Sequence, residues 1–183
     1  MIVLVTTHAP IGKRGSMSTP PPEHPLAPLS PGTPAPDFRL RRAPYQTLAL
    51  SSLLGQLVVL AFYPADWEPV SAEQLGTLQQ FLPDVRRLGA ALVGLSVDGI
   101  WSHLAFARAH RLDFPLLADF EPKGAVARAY GVYRERDGTS DRALFVLDAA
   151  GVIRWRAVVP PSVDPGADGI LTALERLRGA APA

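Results

Sequence analysis

The sequence predicts a mixed α/β domain in which helices cover both faces of a central sheet. Three observations carry that expectation. Residues 57–63 (LVVLAFY) and 91–97 (ALVGLSV) are apolar runs of strand length, the mark of strands covered on both faces. A helix-spaced segment follows each run, so the core opens as strand, helix, strand, helix, an order that favours parallel strands with covering helices. Two further β-rich runs then flank a short turn, and a last helical segment closes the domain.

The elements follow in order from residue 37. Asp37-Phe38-Arg39-Leu40 and Thr47-Leu48-Ala49-Leu50 alternate or nearly alternate around Ala43-Pro44-Tyr45, which reads as a short β-hairpin. The run at 57–63 belongs at the centre of the sheet, and Pro64 stops it. Over residues 71–88, Leu75, Leu78, Leu82, Val85 and Leu88 recur three and four apart, as one buried helix face requires. The strand at 91–97 leads into a second helix at 101–110. Residues 114–117 form a short extended segment, and the alanine-rich stretch 123–130 is a helix that Gly131 ends at C′. Residues 142–147 and 152–158 pair as an antiparallel hairpin around Asp148-Ala149-Ala150-Gly151, and a helix at 168–177 closes the domain. This order describes a thioredoxin-like three-layer sandwich: a mixed central sheet flanked by helices, with an N-terminal β-hairpin.

The chain of 183 residues, 48% of them apolar, suits one domain. Nine of its 19 prolines fall within the first 36 residues, a density that withholds backbone donors and leaves little apolar surface to bury. Residues 1–36 are therefore expected to be a Pro-rich, disordered tail, and residues 37–183 the folded domain. Residues 1–5 are apolar but lack a preceding basic region and fall short of a secretory core of about 7–15 residues. No signal peptide is read, translation could begin at Met1 or Met17, and the cytoplasm is the expected location. No run approaches the roughly 20 residues of a membrane span. Eighteen basic and 17 acidic side chains leave a formal net charge of +1, so no global field draws in nucleic acid or an anionic membrane. Cysteine is absent, which excludes disulfides, thiolate metal sites, iron–sulfur clusters and a thiol nucleophile in this chain. A chain of this size needs no covalent staple to bury its core, so the missing cysteine bears on chemistry rather than on folding.

The segment from Tyr63 to Gln74 (YPADWEPVSAEQ) lies where the central strand opens onto a helix N-terminus. Sheets of this class bind ligands at such loops, and helix N–H groups there favour negative charge. At these residues the chain resembles the peroxiredoxins of the thiol-specific antioxidant (AhpC/TSA), or redoxin, family. That family's pattern is a proline, a hydroxyl residue four positions later and the peroxidatic cysteine three beyond that, at the start of a helix. Pro64, Glu68 and Ser71 fall on those positions. Gly32-Thr33-Pro34-Ala35-Pro36-Asp37-Phe38-Arg39-Leu40 resembles the family's opening, and Arg142, ahead of Phe145-Val146-Leu147-Asp148, matches its active-site arginine. The resemblance implies thiol-dependent reduction of hydrogen peroxide or organic hydroperoxides, a thioredoxin-like thiol reductant, a homodimer and no cofactor. Tyr63, Trp67 and Val70 are expected to line the pocket.

Two departures sit at the centre of this pattern: Ser71 stands where the attacking cysteine belongs, and Glu68 replaces the usual hydroxyl. A peroxidatic residue must be an anion that attacks an O–O bond and survives as a sulfenic acid. A free thiol ionises at a pKa of about 8.5, whereas a hydroxyl is about as reluctant as water at about 15.7. The gap of about 7 units is on the order of 10 kcal/mol, and site effects of roughly 2–5 units do not close it. The chain as written is therefore expected to be inactive, either as an engineered Cys-to-Ser variant or as a natural cysteine-less homologue. The alternative is a non-enzymatic binding or regulatory module on the same scaffold, with Arg142 and the helix N-terminus binding a small anion. Ser71-Ala72-Glu73-Gln74 also fits an S-x-x-Q capping box, which would make Ser71 the helix cap. The resemblance places a second cysteine of some relatives at Ser102, between Trp101 and His103, as a resolving position; a helix cap or a surface serine is the plainer reading.

Other features have bland readings. Gly94-Leu95-Ser96-Val97-Asp98 lacks the final glycine of a nucleophile elbow, and serine hydrolysis at Ser71 with His103 as base lacks a motif. His103 and His110 are seven apart on one predicted helix, not the spacing of a metal pair, and are read as facing solvent. Trp67 and Trp101 fit pocket walls, core packing or a dimer contact. Arg39, Arg41 and Arg42 read as a solvated sheet edge. Glycine-rich phosphate loops are absent, so no nucleotide cofactor is implied.

Overall fold

A computed structural model of the chain describes residues 26–179. In chain order its strands and helices are β1 (Arg39–Ala43), β2 (Gln46–Ala49), β3 (Leu57–Phe62), α1 (Pro69–Arg87), β4 (Ala90–Ser96), α2 (Ile100–His110), β5 (Leu116–Ala118), α3 (Ala125–Ala129), β6 (Tyr133–Arg134), β7 (Thr139–Ser140), β8 (Arg142–Leu147), β9 (Ile153–Val159) and α4 (Asp168–Gly179). The main sheet has seven strands in the order β2-β1-β5-β4-β3-β8-β9. The two apolar runs are parallel neighbours, in register from Leu57↔Ala90 to Phe62↔Leu95. On its other side β3 pairs antiparallel with β8, Phe62 facing Ala143. The sheet is therefore mixed, as expected.

Alternation along β3 builds the three layers. Val59, Ala61 and Tyr63 pack with Leu75, Leu78 and Leu82 of α1, Phe106 of α2 and Ile170 and Leu174 of α4. Val58, Leu60 and Phe62 point the other way, onto Val126 and Ala127 of α3 and Tyr130. Each of these six β3-run side chains is at most 1% exposed, and burying one large apolar side chain contributes about 1.5–3 kcal/mol. This doubly covered strand delivers the loop at 63–68 and the start of α1 to a defined place at the sheet's carboxyl edge.

Four details depart from the expectations. A 3-10 turn at Leu50–Leu53 and the small β6–β7 ribbon were not predicted; the ribbon's signal is Asp137-Gly138 in its turn, with Gly138 at φ 68°, but two-residue strands carry no readable alternation. The arginine cluster of β1 is not at a sheet edge, because β2 takes that place, although Arg39, Arg41 and Arg42 are exposed. The domain's hydrogen bonding also begins before residue 37. Residues 1–25, with Met1, Met17, His8 and His24, lie outside the described residues. From Leu29 onward, however, backbone N–H groups bond the domain: Leu29 to Tyr130 O at 3.1 Å, Gly32 to Ile153 O at 2.7 Å and Ala35 to Gly151 O at 2.9 Å. The prolines interrupt this segment without removing those particular donors. Gly131 makes the docking possible: its φ is +70°, and a Cβ there would sit 2.2 Å from Ala27 O. No helix among the described residues is long and apolar enough to cross a membrane.

Candidate active site

The site grows from the turn between β3 and α1. Pro69 occupies the first helical position, where its missing N–H costs nothing, and this moves the cap back to Glu68, at φ −75° and ψ 130°. The Glu68 carboxylate accepts the N–H of Val70 at 3.2 Å on Oε1, and the N–H of Ser71 at 2.7 Å on Oε2. The expected capping box is therefore not formed. Ser71 lies within the first turn, and its Oγ donates to Glu68 Oε2 at 2.8 Å.

Arg142 enters from β8, the neighbour of β3, and its side chain is fully buried. Nη1 donates to Ser71 Oγ and to Gln74 Oε1, both at 3.1 Å, Nη2 pairs with Glu68 Oε2, and Nε donates to Pro161 O. Gln74 Nε2 in turn donates to Phe62 O at 3.3 Å, tying the cluster to the end of β3. Ser71 and Arg142 are 0% exposed and Gln74 1%, whereas the Glu68 side chain is 34% exposed. Partial burial pushes the Glu68 carboxyl up, but hydrogen bonds from Arg142, Ser71 and the Val70 N–H outweigh it and hold the group below the usual carboxylate range. The cluster is a neutral pair of opposite charges wrapped around one serine hydroxyl.

A second buried network stands beside it. The Tyr63 hydroxyl donates to Asp66 Oδ1 at 2.9 Å, and His103 Nδ1 lies 2.9 Å from Asp66 Oδ2. The Asp66 N–H donates to Asp98 Oδ2 at 2.8 Å, and Ser140 Oγ donates to Tyr63 O at 2.7 Å. His103 is 1% exposed, which corrects its reading as a solvent-facing residue: its helix position faces Asp66 and the core, while His110 is exposed. Burial and the neighbouring Asp66 carboxylate raise the Tyr63 phenol well above its ordinary value.

Of the residues expected at the site, Ser71, Glu68 and Arg142 are brought into mutual contact, with Val70 contributing its N–H. Pro64 is buried in the loop between Tyr63 and Asp66. Tyr63 turns its hydroxyl to Asp66 rather than to Ser71. Trp67, at φ 64° and 56% exposed, lies edge-on to Phe106 and donates Nε1–H to Ser102 Oγ at 3.2 Å. Trp101 is 72% exposed, so neither tryptophan is core. Ser102 thus bonds the loop rather than Ser71. Gln74, Asp66 and His103 were missed as members of these networks; Gln74 carried a signal, since it falls one turn after Ser71 on the same helix face. Among the described residues no group of three or more His, Cys, Asp or Glu side chains could hold a metal ion.

Residues 31–156 match the model of the AhpC/TSA family. The chain belongs to that family. Among curated relatives of this AhpC/TSA protein, "Alkyl hydroperoxide reductase E" of Mycobacterium tuberculosis is 36% identical over 73% of this chain and 88% of the relative. "Peroxiredoxin 2" of Thermoplasma acidophilum is 30% identical over 80% of this chain and 75% of the relative. The crystal structure of Enterococcus faecalis AhpC superposes with a TM-score of 0.73 at 26% identity, covering 80% of this chain and 90% of that one. This peroxiredoxin accordingly has the thioredoxin-like fold expected from its order of elements.

Proposed function

We propose that this peroxiredoxin keeps its peroxide pocket but lacks its nucleophile, so that it does not turn over peroxide as it stands. One observation carries the reading: Ser71 Oγ, in the first turn of α1, lies 3.1 Å from Nη1 of the buried Arg142. In the cysteine form, a thiolate at position 71 attacks one peroxide oxygen, an S–O bond forms as the O–O bond breaks, and sulfur gives up two electrons. The other oxygen leaves as hydroxide or alkoxide and takes a proton to become water or alcohol. Two thiols of the reductant then return the sulfenic acid to a thiol, releasing water and forming a disulfide. Serine cannot enter this cycle, because its hydroxyl is about 7 pKa units harder to ionise than a thiol, on the order of 10 kcal/mol.

The reading extends, on family likeness, to a thioredoxin-like reductant and a homodimer for the cysteine form, acting in the cytoplasm. Ser102 is left outside it, because its hydroxyl bonds Trp67. The experiment is Ser71→Cys, with peroxide consumption followed under excess dithiol. The parent should consume none and the variant should gain turnover. Turnover by the parent equal to the variant's would overturn the proposal, and no gain in a folded variant would favour a binding module. Against that second reading stands the Glu68 carboxylate, which already occupies the donors a small anion would need.

A further inference from the structure

We propose that Glu68 is the specificity residue of the pocket: its carboxylate seals position 71 and admits peroxides that carry a proton while turning away peroxide anions. The inference rests on reading position 71 as the peroxidatic site and adds the class of peroxide it accepts.

Three features lead to it. First, Glu68 Oε2 receives the Ser71 N–H, the Ser71 hydroxyl and an Arg142 N–H, while Oε1 receives the Val70 N–H. Those donors, a helix first turn and a guanidinium, form the array that an external anion would seek. The chain fills it with its own anion. Second, Glu68 is also the cover: Ser71, Gln74 and Arg142 are at most 1% exposed, and within this cluster only the Glu68 side chain, at 34%, reaches solvent. A peroxide can meet position 71 only if that carboxylate swings outward. Third, Pro69 and the cap geometry anchor the Glu68 backbone at the start of α1, so the swung-out carboxylate stays at the mouth.

The chemistry of the visitor follows from that placement. A neutral hydroperoxide offers oxygen lone pairs to Arg142 and the Ser71 N–H, and its O–H to the displaced carboxylate. Arg142, the Ser71 N–H and the displaced carboxylate then each have a partner. A peroxide anion offers acceptors only and faces a like charge, with no donor for Glu68. Two like charges about 4 Å apart near a protein surface repel strongly enough to account for tenfold discrimination or more.

Glu68→Gln tests this, because a carboxamide keeps one acceptor oxygen of the two and carries no charge, which leaves the Arg142 guanidinium without its counter-ion. In the Ser71 background, where no turnover is needed, formate is the probe. Against an equal concentration of chloride, formate should raise the Tm of Glu68→Gln by about 2–4 °C and leave the parent unchanged. Glu68→Thr, which keeps a capping side chain, serves as the second variant and should respond in the same way. In the Ser71→Cys background, the ratio of peroxynitrite to hydrogen peroxide rate constants should rise at least about tenfold on adding Glu68→Gln, the equivalent of about 1.4 kcal/mol. An equal formate response in parent and variants, or an unchanged ratio in an active Ser71→Cys protein, overturns the role of Glu68. A folded Ser71→Cys protein inactive towards both peroxides instead removes the peroxidatic reading, while the formate measurement still decides whether Glu68 fills an anion seat.

Discussion

Replacing Asp66 by alanine should cost the fold about 1–3 kcal/mol, because it takes the carboxylate from two buried partners and leaves them only each other, the Tyr63 hydroxyl and His103 Nδ1 being 3.3 Å apart. The partners are the Tyr63 hydroxyl, 2.9 Å from Oδ1, and His103 Nδ1, 2.9 Å from Oδ2; the two residues are 0% and 1% exposed. Set against a typical total stability of about 5–15 kcal/mol, this is a large loss. The assay is urea unfolding followed by tryptophan fluorescence, where the midpoint should fall at an unchanged slope. The pH dependence supplies a second arm. Burial pushes the Asp66 carboxyl up, but the hydrogen bond and charge of His103, with bonds from Ser102 and Tyr63, outweigh it and leave the pKa lowered. A group whose folded pKa is depressed contributes stability above its unfolded value, about 3.9 for aspartate, and loses it as the pH falls through the folded one. The gap between parent and Asp66→Ala should therefore be full at about pH 5 and shrink below about pH 4. A loss under about 1 kcal/mol, or a gap undiminished in acid, would refute the account. Tyr63→Phe combined with Asp66→Ala should show a coupling of about 0.5–3 kcal/mol, as contacting residues do.

Gln74→Leu keeps the volume but leaves Phe62 O and Arg142 Nη1 short of a partner, and should cost about 1–3 kcal/mol in the same unfolding assay. Gly131→Ala forces a φ of +70° on alanine and sets its Cβ 2.2 Å from Ala27 O; a loss of about 1–3 kcal/mol and faster proteolysis within residues 26–36 are expected. Ser102→Ala removes the partly exposed partner of Trp67 Nε1 and a lesser hydrogen bond to Asp66, so stability should fall by no more than about 1 kcal/mol while tryptophan emission shifts.

The layers of the fold were legible because burial leaves a period in the sequence. Leu75, Leu78 and Leu82 recur at helical spacing because that face of α1 lies on the sheet, and the run at 57–63 is unbroken because both of its faces are covered. The bonding of the site leaves no such record. Glu68 meets Arg142 across 74 positions and Asp66 meets His103 across 37, and no periodicity links them. The rule that assigns polar helix residues to solvent sent His103 to the wrong side. Ser71, Glu68 and Arg142 could be named together only through the family pattern. Even then the cap was misassigned, although the sign that would have moved it, a proline suited to the first helical position, stands at Pro69.

The serine itself has a physical logic once its contacts are known. Its hydroxyl both donates to Glu68 and accepts from Arg142, at 2.8 and 3.1 Å. A thiol is a weak donor and a weak acceptor, and would hold the buried Arg142–Glu68 pair less firmly. A carboxylate that accepts its proton would also raise the thiol's pKa, opposing Arg142 and the helix N-terminus. Position 71 is thus better served structurally by serine and chemically by cysteine. Ser71→Cys should accordingly gain peroxide turnover while losing stability, and the further change Glu68→Thr should lower the thiol's pKa by removing the opposing charge. Alkylation rate against pH measures that shift directly, and a thiol that ionises at the same pH with and without Glu68 would show that the carboxylate does not hold its proton.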